Sequence, residues 1–285
     1  MNIEYDSFKI GNKTFIMLTA NYHTHTKRCG HATGEDEDYV LEALGHGFRR
    51  LGFSDHIRLP GFSQPYTRGD YSLFDDYCQS INHLKKEYKD RLDIYLGFEA
   101  EAFLCYFPYY KELLDNGVID YRILGNHASR DDHHHILSRF VSISNPSQLY
   151  EYRDLAVKAR STGRFSIFAH PDYFLASIET FDSDCKKVSC SLIEASIAYN
   201  VPLEVNRGGI RKGRTKIGNE IRYRYPTDEF FSLVGRYKAP CILGCDAHAP
   251  NQLSDDAAEF EAVEFVRRHD LVLLDHLDTI QDKRR

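Results

Sequence analysis

Residues 15–25, FIMLTANYHTH, place an apolar, strand-like run directly before two histidines. Side chains alternate between the two faces of an extended segment, so we expect His23 and His25 to project in the same direction. A single pair of this kind is more often two packed or solvated histidines than a metal site. The rest of the chain therefore has to show whether other potential ligands converge on this pair.

Short apolar runs alternate with longer amphipathic segments along the whole chain. The strand-like runs cover residues 15–21, 49–54, 92–98, 121–125, 165–169, 202–206 and 240–244. Helix-like segments fall between them, and strands that alternate with helices are typical of parallel βαβ units. The pattern predicts an α/β protein with seven parallel strands.

Polar residues follow the predicted strands at the point where each strand ends. These residues are His23 and His25, Asp55 and His56, Glu99, His127, His170, Arg207 and Arg211, and Asp246 and His248. The carboxyl ends of the strands in a closed parallel barrel form one rim, where active sites are assembled. Histidines scattered through a core would not keep to these positions, so the sequence predicts a functional site at this rim.

The spacing of Asp246 and His248 repeats that of His23 and His25, and two such pairs can chelate a metal ion. Neutral imidazole and carboxylate oxygen suit divalent zinc, iron or manganese. The other histidines are expected to be solvated or to lie on helix faces, although the triplet at residues 133–135 could form a flap over the site. Two cysteines beside the potential ligands, Cys29 and Cys245, are expected to pack.

The composition of the 285 residues is that of a globular protein, with 42% hydrophobic and 27% charged residues. Because α/β barrels of this size commonly form one core, we expect a single domain over residues 1–285. No apolar run reaches the length of a membrane span and the amino terminus lacks a secretory signal, so we expect a cytoplasmic protein without a membrane partner. The net charge of -6 argues against a nucleic-acid partner.

Seven short motifs together resemble a known family: HTHTKRCGHA, FSDH, GFEAE, GNH, AHPD, EVNRGGIRKG and GCDAHAPNQL. They are spread from about residue 20 to residue 253. The chain is similar to the polymerase and histidinol phosphatase (PHP) family, and within it to the histidinol-phosphate phosphatases. The resemblance implies a distorted (β/α)7 TIM-like barrel with three divalent metal ions, Zn, Mn or Fe, at its carboxyl rim.

The resemblance also implies which side chains hold each ion. The first ion would be held by His23, His25, Glu99 and Asp246, the second by Glu99, His127 and His170, and the third by His31, His56 and His248. Glu99 would bridge the first two ions. Three divalent ions and two carboxylates leave an excess of about four positive charges, which suits an anionic phosphate substrate.

On this basis we expect a phosphatase that hydrolyses a small phosphate monoester by in-line attack of a metal-bound hydroxide. The implied substrate is L-histidinol phosphate, converted to L-histidinol and phosphate in histidine biosynthesis. Arg211 is the expected phosphate contact, and Arg207, which stands where relatives often have a Thr-Ser pair, could supply another. Asp246, His248 or a metal-bound water would protonate the leaving group, and Glu99 would act as the bridging ligand.

Three acidic residues and one short segment near the motifs have less definite roles. Asp55 and Asp172, each beside a histidine ligand, could orient ligands, transfer protons or cap loops. Glu101 and the segment at residues 131–135 could bind the amino-alcohol end of histidinol.

Three alternatives stay open. The chain could hydrolyse another phosphate ester, such as a nucleotide or a sugar phosphate. It could be an amidohydrolase-type metal hydrolase, although that chemistry would leave His31, His56 and His248 unused. It could also be a non-catalytic, metal-stabilised module. The sequence does not settle the oligomeric state or the role of the loop at residues 126–147.

Overall fold

The structure is a computed structural model that describes residues 7–10, 13–16, 18–64, 67–131 and 135–278. Its strands are β1 (Ser7–Ile10), β2 (Lys13–Ile16), β3 (Ala20–Asn21), β4 (Arg50–Phe53), β5 (Asp93–Ala100), β6 (Tyr121–Leu124), β7 (Ala128–Arg130), β8 (Ile136–Arg139), β9 (Ile167–Phe168), β10 (Leu203–Asn206), β11 (Thr215–Ile217), β12 (Glu220–Arg222), β13 (Pro240–Gly244) and β14 (Val272–Leu273). Its α-helices are α1 (Asp36–Gly45), α2 (Phe74–Glu87), α3 (Phe107–Asp115), α4 (Pro146–Arg160), α5 (Ser183–Tyr199), α6 (Arg207–Arg211), α7 (Asp228–Tyr237) and α8 (Asp256–Arg268).

The central sheet contains eight strands in the order β14-β13-β10-β9-β6-β5-β4-β3. Every pair of neighbours is parallel. An isolated parallel bridge between Thr24 and Ala247 joins the two sides of the sheet. The sheet is therefore curled into a distorted barrel, and the predicted α/β barrel class is confirmed.

Three details of the strand prediction need correction. The run at residues 15–21 is not one strand, because β2 pairs with β1 in an antiparallel hairpin and only β3 joins the barrel. The chain changes partner within one apolar run, and hydrophobicity alone does not reveal that change. The prediction also missed β14, which pairs with β13 through only two residue pairs. The segment at residues 126–147, described above as a loop, contains the antiparallel hairpin of β7 and β8.

Helices of the outer layer begin at side chains that accept backbone N–H groups. Asn145 accepts from Gln148 N at 3.2 Å before α4, and Asp182 accepts from Cys185 N at 2.9 Å before α5. Such caps satisfy amides that have no partner inside the helix. No helix in the described part of the chain has the length and apolar character needed to cross a lipid bilayer.

The barrel interior below the carboxyl rim is filled by aromatic and aliphatic side chains. A buried cluster there takes residues from β3, β5, β6, β9 and β13, whereas a larger cluster lies between the sheet and the helices. The hydroxyl of Tyr121 donates to the backbone oxygen of Tyr22 at 2.7 Å across the interior. This packing closes the interior below the rim, so polar side chains at the strand ends can collect only above it.

Candidate metal centre

The closing seam of the barrel positions the first four potential ligands. His25 N donates to Ala247 O at 2.8 Å, and Ala247 N donates to His23 O at 3.2 Å. Thr24 and Ala247 are the bridged residues, so a potential ligand lies on each side of both. The two motifs with alternate-residue spacing therefore meet at the same seam, and their four side chains project together as the alternation rule requires.

The first group of side chains has the spacing of a tetrahedral metal site. Nε2 of His23 lies 3.2 Å from Nε2 of His25, 3.7 Å from Oε2 of Glu99 and 3.5 Å from Oδ1 of Asp246. Nε2 of His25 lies 3.6 Å from the same Glu99 oxygen and 3.4 Å from the same Asp246 oxygen. Zinc bonds of about 2.1 Å in tetrahedral geometry separate ligand atoms by about 3.4 Å. These four residues fit one ion.

The second group uses the other oxygen of the Glu99 carboxylate. Oε1 of Glu99 lies 3.1 Å from Nε2 of His170 and 3.5 Å from Nε2 of His127. Gly125 makes this approach possible, because a Cβ atom there would lie 2.7 Å from the same oxygen. One carboxylate thus presents one oxygen to each group, which is the arrangement expected of a bridging ligand.

The third group lies on the outer side of the centre. Nε2 of His31 and Nε2 of His248 are 3.0 Å apart. The ring of His56 lies 4.5 Å from that of His25 and 5.6 Å from that of His31, while its Nδ1 is 3.0 Å from Oε2 of Glu99. The structure therefore brings all nine predicted ligand side chains to one place on the rim.

Buried carboxylates behind the centre hold two of the imidazole rings. Nδ1 of His23 donates to Glu204 at 2.7 Å, and Nδ1 of His127 donates to Glu101 at 2.9 Å. Glu204 also accepts from the backbone N of His170 at 2.9 Å. Each hydrogen bond fixes the ring and leaves Nε2 as the coordinating atom, as is common behind metal-ligating histidines.

Sequence reasoning missed Glu204 as a functional residue. It lies in β10 and is fully buried, and the absence of a side chain at Gly244 leaves room for its carboxylate. An acidic residue inside an otherwise apolar, buried strand is the signal that points to it, because an unpaired buried carboxylate is costly. Glu101, which the sequence offered as a contact for histidinol, is instead engaged by His127 and by Arg68 at 3.1 Å.

Asp55 and Cys29 lie behind His25. Oδ1 of Asp55 is 3.6 Å from Nδ1 of His25, and its other oxygen accepts from Thr26 Oγ1 at 2.6 Å and from Arg58 at 3.0 Å. Asp55 is thus placed to orient His25.

Cys29 was expected to pack, but its Sγ lies 3.9 Å from Nε2 of His31, which is close enough to count it among the possible ligands. Burial raises the pKa of the Cys29 thiol to about 12, so it is protonated at neutral pH.

The two carboxylates at the centre, Glu99 and Asp246, are ionised although they are buried, and they therefore require cations beside them. Burial would raise the pKa of Glu99, but the imidazoles of His127, His56 and His23 outweigh it and hold that pKa well below its usual value. Burial would likewise raise the pKa of Asp246, yet nearby imidazoles, His23 foremost, lower it well below its usual value. Both carboxylates are therefore ionised in a buried place, and an ionised buried carboxylate needs positive charge beside it.

The histidines divide into two kinds by their pKa. Burial lowers the pKa of His25, but hydrogen bonds with Asp246 and Asp55 raise it to about 9, so this ring carries positive charge when no cation is present. Burial lowers the pKa of His56 to about 4 and that of His248 to about 3, which keeps both rings neutral and able to ligate. Divalent ions would supply the positive charge that protons otherwise bring, so the donor set fits metal binding.

A cavity of about 260 Å³ opens above the centre. Its walls include His25, His31, His56, Glu99, His127, His170, Asp246 and His248 together with the cations Arg68, Arg139 and Lys212 and the aromatic rings of Tyr173 and Tyr225. Lys212 donates to the hydroxyl of Tyr225 at 2.8 Å. Arg139 and Lys212 are exposed, whereas Arg68 is buried against Glu101. The cavity is suited to a small anionic molecule.

The two arginines expected to bind phosphate lie away from this cavity wall. Arg207 is fully buried, where it contacts Glu259 at 3.2 Å and donates to the backbone oxygen of Asp255 at 2.9 Å. Arg211 contacts the Asp255 carboxylate at 3.2 Å and donates to Cys245 O at 3.1 Å. Both guanidinium groups brace the loop that follows β13. Their role in phosphate binding stays a prediction.

Asp172 and the 131–135 segment are the last predicted positions. Oδ2 of Asp172 accepts from Thr227 N at 2.6 Å, and burial raises the pKa of Asp172 to about 7. Nδ1 of His135 contacts Asp131 at 3.0 Å. Residues 132–134, which include most of the predicted histidine flap, lie outside the described residues.

Comparison with known proteins places this centre in a family. The PHP domain model matches residues 21–208, which include seven of the nine converging side chains. The chain belongs to the PHP family. A relative named "probable histidinol-phosphatase" from Deinococcus radiodurans is 25% identical over 234 residues, which cover 81% of this chain and 86% of the relative. The protein named "histidinol-phosphatase" from Bacillus subtilis is 25% identical over 269 residues, covering 84% and 96%.

A solved structure shares the PHP fold described above. The histidinol phosphate phosphatase of Lactococcus lactis subsp. lactis, solved with zinc, L-histidinol and phosphate, aligns with a TM-score of 0.67. It is 19% identical, and the match covers 90% of this chain and 95% of that one. The likeness supports the distorted barrel. PHP membership and the buried clusters of histidine and carboxylate together identify a metal-dependent hydrolase centre.

Proposed function

We propose that the protein is a metal-dependent phosphatase that hydrolyses small phosphate monoesters, with L-histidinol phosphate as the leading candidate substrate. The observation that carries the proposal is the convergence of nine ligand-type side chains around Glu99, directly below a cavity lined with cations. Relatives that cover most of the chain carry the histidinol-phosphatase name, and this supports the choice of first substrate.

Three divalent ions, Zn, Mn or Fe, are proposed to occupy the three groups of side chains. Glu99 would serve the first two groups, because its Oε2 faces His23 and His25, with His56 also close, and its Oε1 faces His127 and His170. When bound, such ions polarise phosphate oxygens and lower the pKa of water. The chain holds the ligands in place through Glu204, Glu101 and Asp55, so that little rearrangement is needed when an ion or a substrate binds.

Phosphate recognition is proposed to depend on Lys212 and Arg139. Both side chains line the cavity and are exposed, and neither forms an ion pair with a described carboxylate. Charge that gathers on phosphate oxygens during hydrolysis is stabilised by such cations. Lys212 lines the cavity, whereas its neighbour in the chain, Arg211, contacts Asp255 instead. This difference favours Lys212 as the phosphate contact.

Proton transfer to the leaving group is proposed to involve Asp246 or His248, which both line the cavity. Nδ1 of His248 lies 3.1 Å from the backbone oxygen of Asp246 and 3.5 Å from its carboxylate. Water held in the cavity is the competing donor.

Other phosphate esters, such as sugar phosphates or nucleotides, form the second candidate class. The exposed cations on the cavity wall favour this class, because the ammonium group of histidinol gains nothing from Arg139 or Lys212. Glu101, which the sequence offered as a contact for the amino-alcohol end of histidinol, is already engaged by Arg68 and His127.

A phosphate-release screen tests the proposal directly. Metal-stripped protein would be reloaded with manganese, zinc or iron and given L-histidinol phosphate, sugar phosphates and nucleotides. Release of phosphate that requires added metal and stops with a chelator is the expected result. The same protein kept metal-free serves as the matched control. If no ester releases phosphate with any of the three metals, the proposal is wrong.

A further inference from the structure

A second cleft adjoins the cavity of the metal centre. It has a volume of about 450 Å³ and is lined in part by Ser142, Ser177, Lys216 and Arg224. Val141 lines both spaces, so the cleft lies directly beside the cavity above the metal centre. The cleft lies outside the nine ligand-type side chains and has no part in the role proposed above.

The chain segment that forms one side of this cleft is strongly basic. Residues 207–224 contain seven Lys and Arg residues and one Glu, although the whole chain has a net charge of -6. The segment includes the hairpin of β11 and β12, which stands at the carboxyl rim side of the barrel after α6. Such a concentration of one charge in an acidic protein raises the local concentration of anions.

Several cations of this segment are neutralised or bound within the protein. Arg207 contacts Glu259, Arg211 contacts Asp255, and Arg214 contacts Glu261 at 3.4 Å. Arg222 donates to the backbone oxygens of Leu175 and Ile178. These four arginines are therefore held by contacts within the protein, and their charges are not available to bind a ligand.

The remaining cations of the segment face the two spaces. Lys212 lines the metal-centre cavity, and Lys216 and Arg224 line the adjoining cleft. All three are exposed, and none forms an ion pair with a carboxylate in the described part of the chain. Glu179 also lines the cleft, so the cations outnumber the carboxylates there by two to one. Two cations beside the hydroxyls of Ser142 and Ser177 can bind the oxygens of an anion.

We infer that this cleft is a binding subsite for a second anionic group, a phosphate or a carboxylate, carried by the part of the substrate that leaves. The inference rests on the proposed function and makes it more specific, because it predicts tighter binding of esters that carry two anionic groups. One phosphate would lie at the metal centre, and the second anionic group would lie between Lys216 and Arg224. L-Histidinol phosphate, which lacks such a group, would use only the first space.

Competition experiments test the subsite without depending on turnover of a particular sugar. Hydrolysis of p-nitrophenyl phosphate by the metal-loaded protein provides the signal, and sugar phosphates are added as competitors. Fructose 6-phosphate and fructose 1,6-bisphosphate differ by a second phosphate. Glycerol 3-phosphate and 3-phosphoglycerate differ by a carboxylate. We expect the doubly anionic member of one or both pairs to bind about tenfold more tightly at low salt, an advantage that shrinks as ionic strength rises.

The double variant Lys216→Ala/Arg224→Ala is expected to bring the two inhibition constants of each pair to near equality. The matched control is Lys186→Ala/Arg236→Ala, which removes the same charge from exposed positions on α5 and α7 and should preserve the advantage. The inference is overturned if the second anionic group brings no tighter binding to the unmodified protein. It is also overturned if both double variants behave alike. Failure to hydrolyse p-nitrophenyl phosphate and every ester of the screen would instead contradict the proposed function itself.

Discussion

The ligands of the first two groups, the inner ligands, differ from those of the third group, the outer ligands, in the oxygens that lie against the Nδ1 atoms of their rings. His23 and His127 each donate to a buried carboxylate, and the side chain of His23 is 1% exposed. Nδ1 of His31 and Nδ1 of His248 lie against backbone oxygens, at 3.3 Å and 3.1 Å, the Asp246 carboxylate is 3.5 Å from the latter atom, and the side chain of His248 is 24% exposed. Burial does not separate the two parts, because the side chain of His127 is 23% exposed and that of His56 is 8% exposed. The difference is that His23 and His127 are fixed by buried carboxylates, whereas His31 and His248 are held mainly by backbone oxygens and are less constrained. We therefore expect tightly held inner ions and a more readily exchanged outer ion.

Replacement of the shared carboxylate should have the largest effect, because it affects both inner groups at once. Glu99→Gln removes the negative charge and one coordinating oxygen, and we expect phosphate release to fall by about a thousandfold. Metal content should fall as well. The control is Glu112→Gln, a change at an exposed position on α3. A variant with normal metal content and normal turnover would show that Glu99 does not bridge the inner groups.

Loss of the carboxylate behind His23 should have a smaller but clear effect. Glu204→Gln keeps the shape of the side chain but weakens the hydrogen bond to Nδ1 of His23. We expect metal affinity to fall by about 10- to 100-fold, as is typical when such a supporting partner is removed. Metal titration of the stripped protein measures the affinity. Equal affinities in the variant and the parent would mean that burial alone fixes the inner ligands.

Removal of an outer ligand should separate the two regions. His31→Ala is expected to reduce occupancy of the outer position while the inner ions stay bound, because no inner ligand contacts Nε2 of His31 as closely as His248 does. Metal analysis after dialysis gives the number of ions retained. His83→Ala, at an exposed position on α2, provides the control. Loss of all the metal from His31→Ala would mean that the two regions bind ions as one unit.

The smallest effects are expected at the neighbouring cations Lys212 and Arg211. Lys212→Ala should raise KM for a phosphate ester by about tenfold and leave metal content unchanged, since it removes a charged phosphate contact. Arg211→Ala should leave metal content unchanged too. If Arg211→Ala weakens phosphate use while Lys212→Ala does not, the assignment made from the sequence is the better one and the cavity geometry misleads.

The position of the centre could be predicted from the sequence because two simple rules govern it. Alternation along extended segments pairs His23 with His25 and Asp246 with His248, and parallel strands bring their carboxyl ends to one rim. The sequence also indicated the barrel class. These rules depend on local spacing and on strand direction, which a single chain reveals directly.

Other features depend on contacts between distant segments and could not be predicted in this way. Glu204 acts through His23, which lies 181 residues away. Asp246 and His170 adopt positive φ angles of 47° and 31°, a conformation that local preference disfavours and that the surrounding contacts maintain. Arg207 looks like a phosphate contact in the sequence, but the carboxylate and the carbonyl that engage it come from the 255–259 region.

Anomalous diffraction from crystals soaked with manganese or zinc tests the central claim most directly. We predict strong anomalous peaks between the nine side chains, with one peak on each side of the Glu99 carboxylate and a weaker one beside His31 and His248. A map with no peak among these side chains, recorded at saturating metal, would contradict the account.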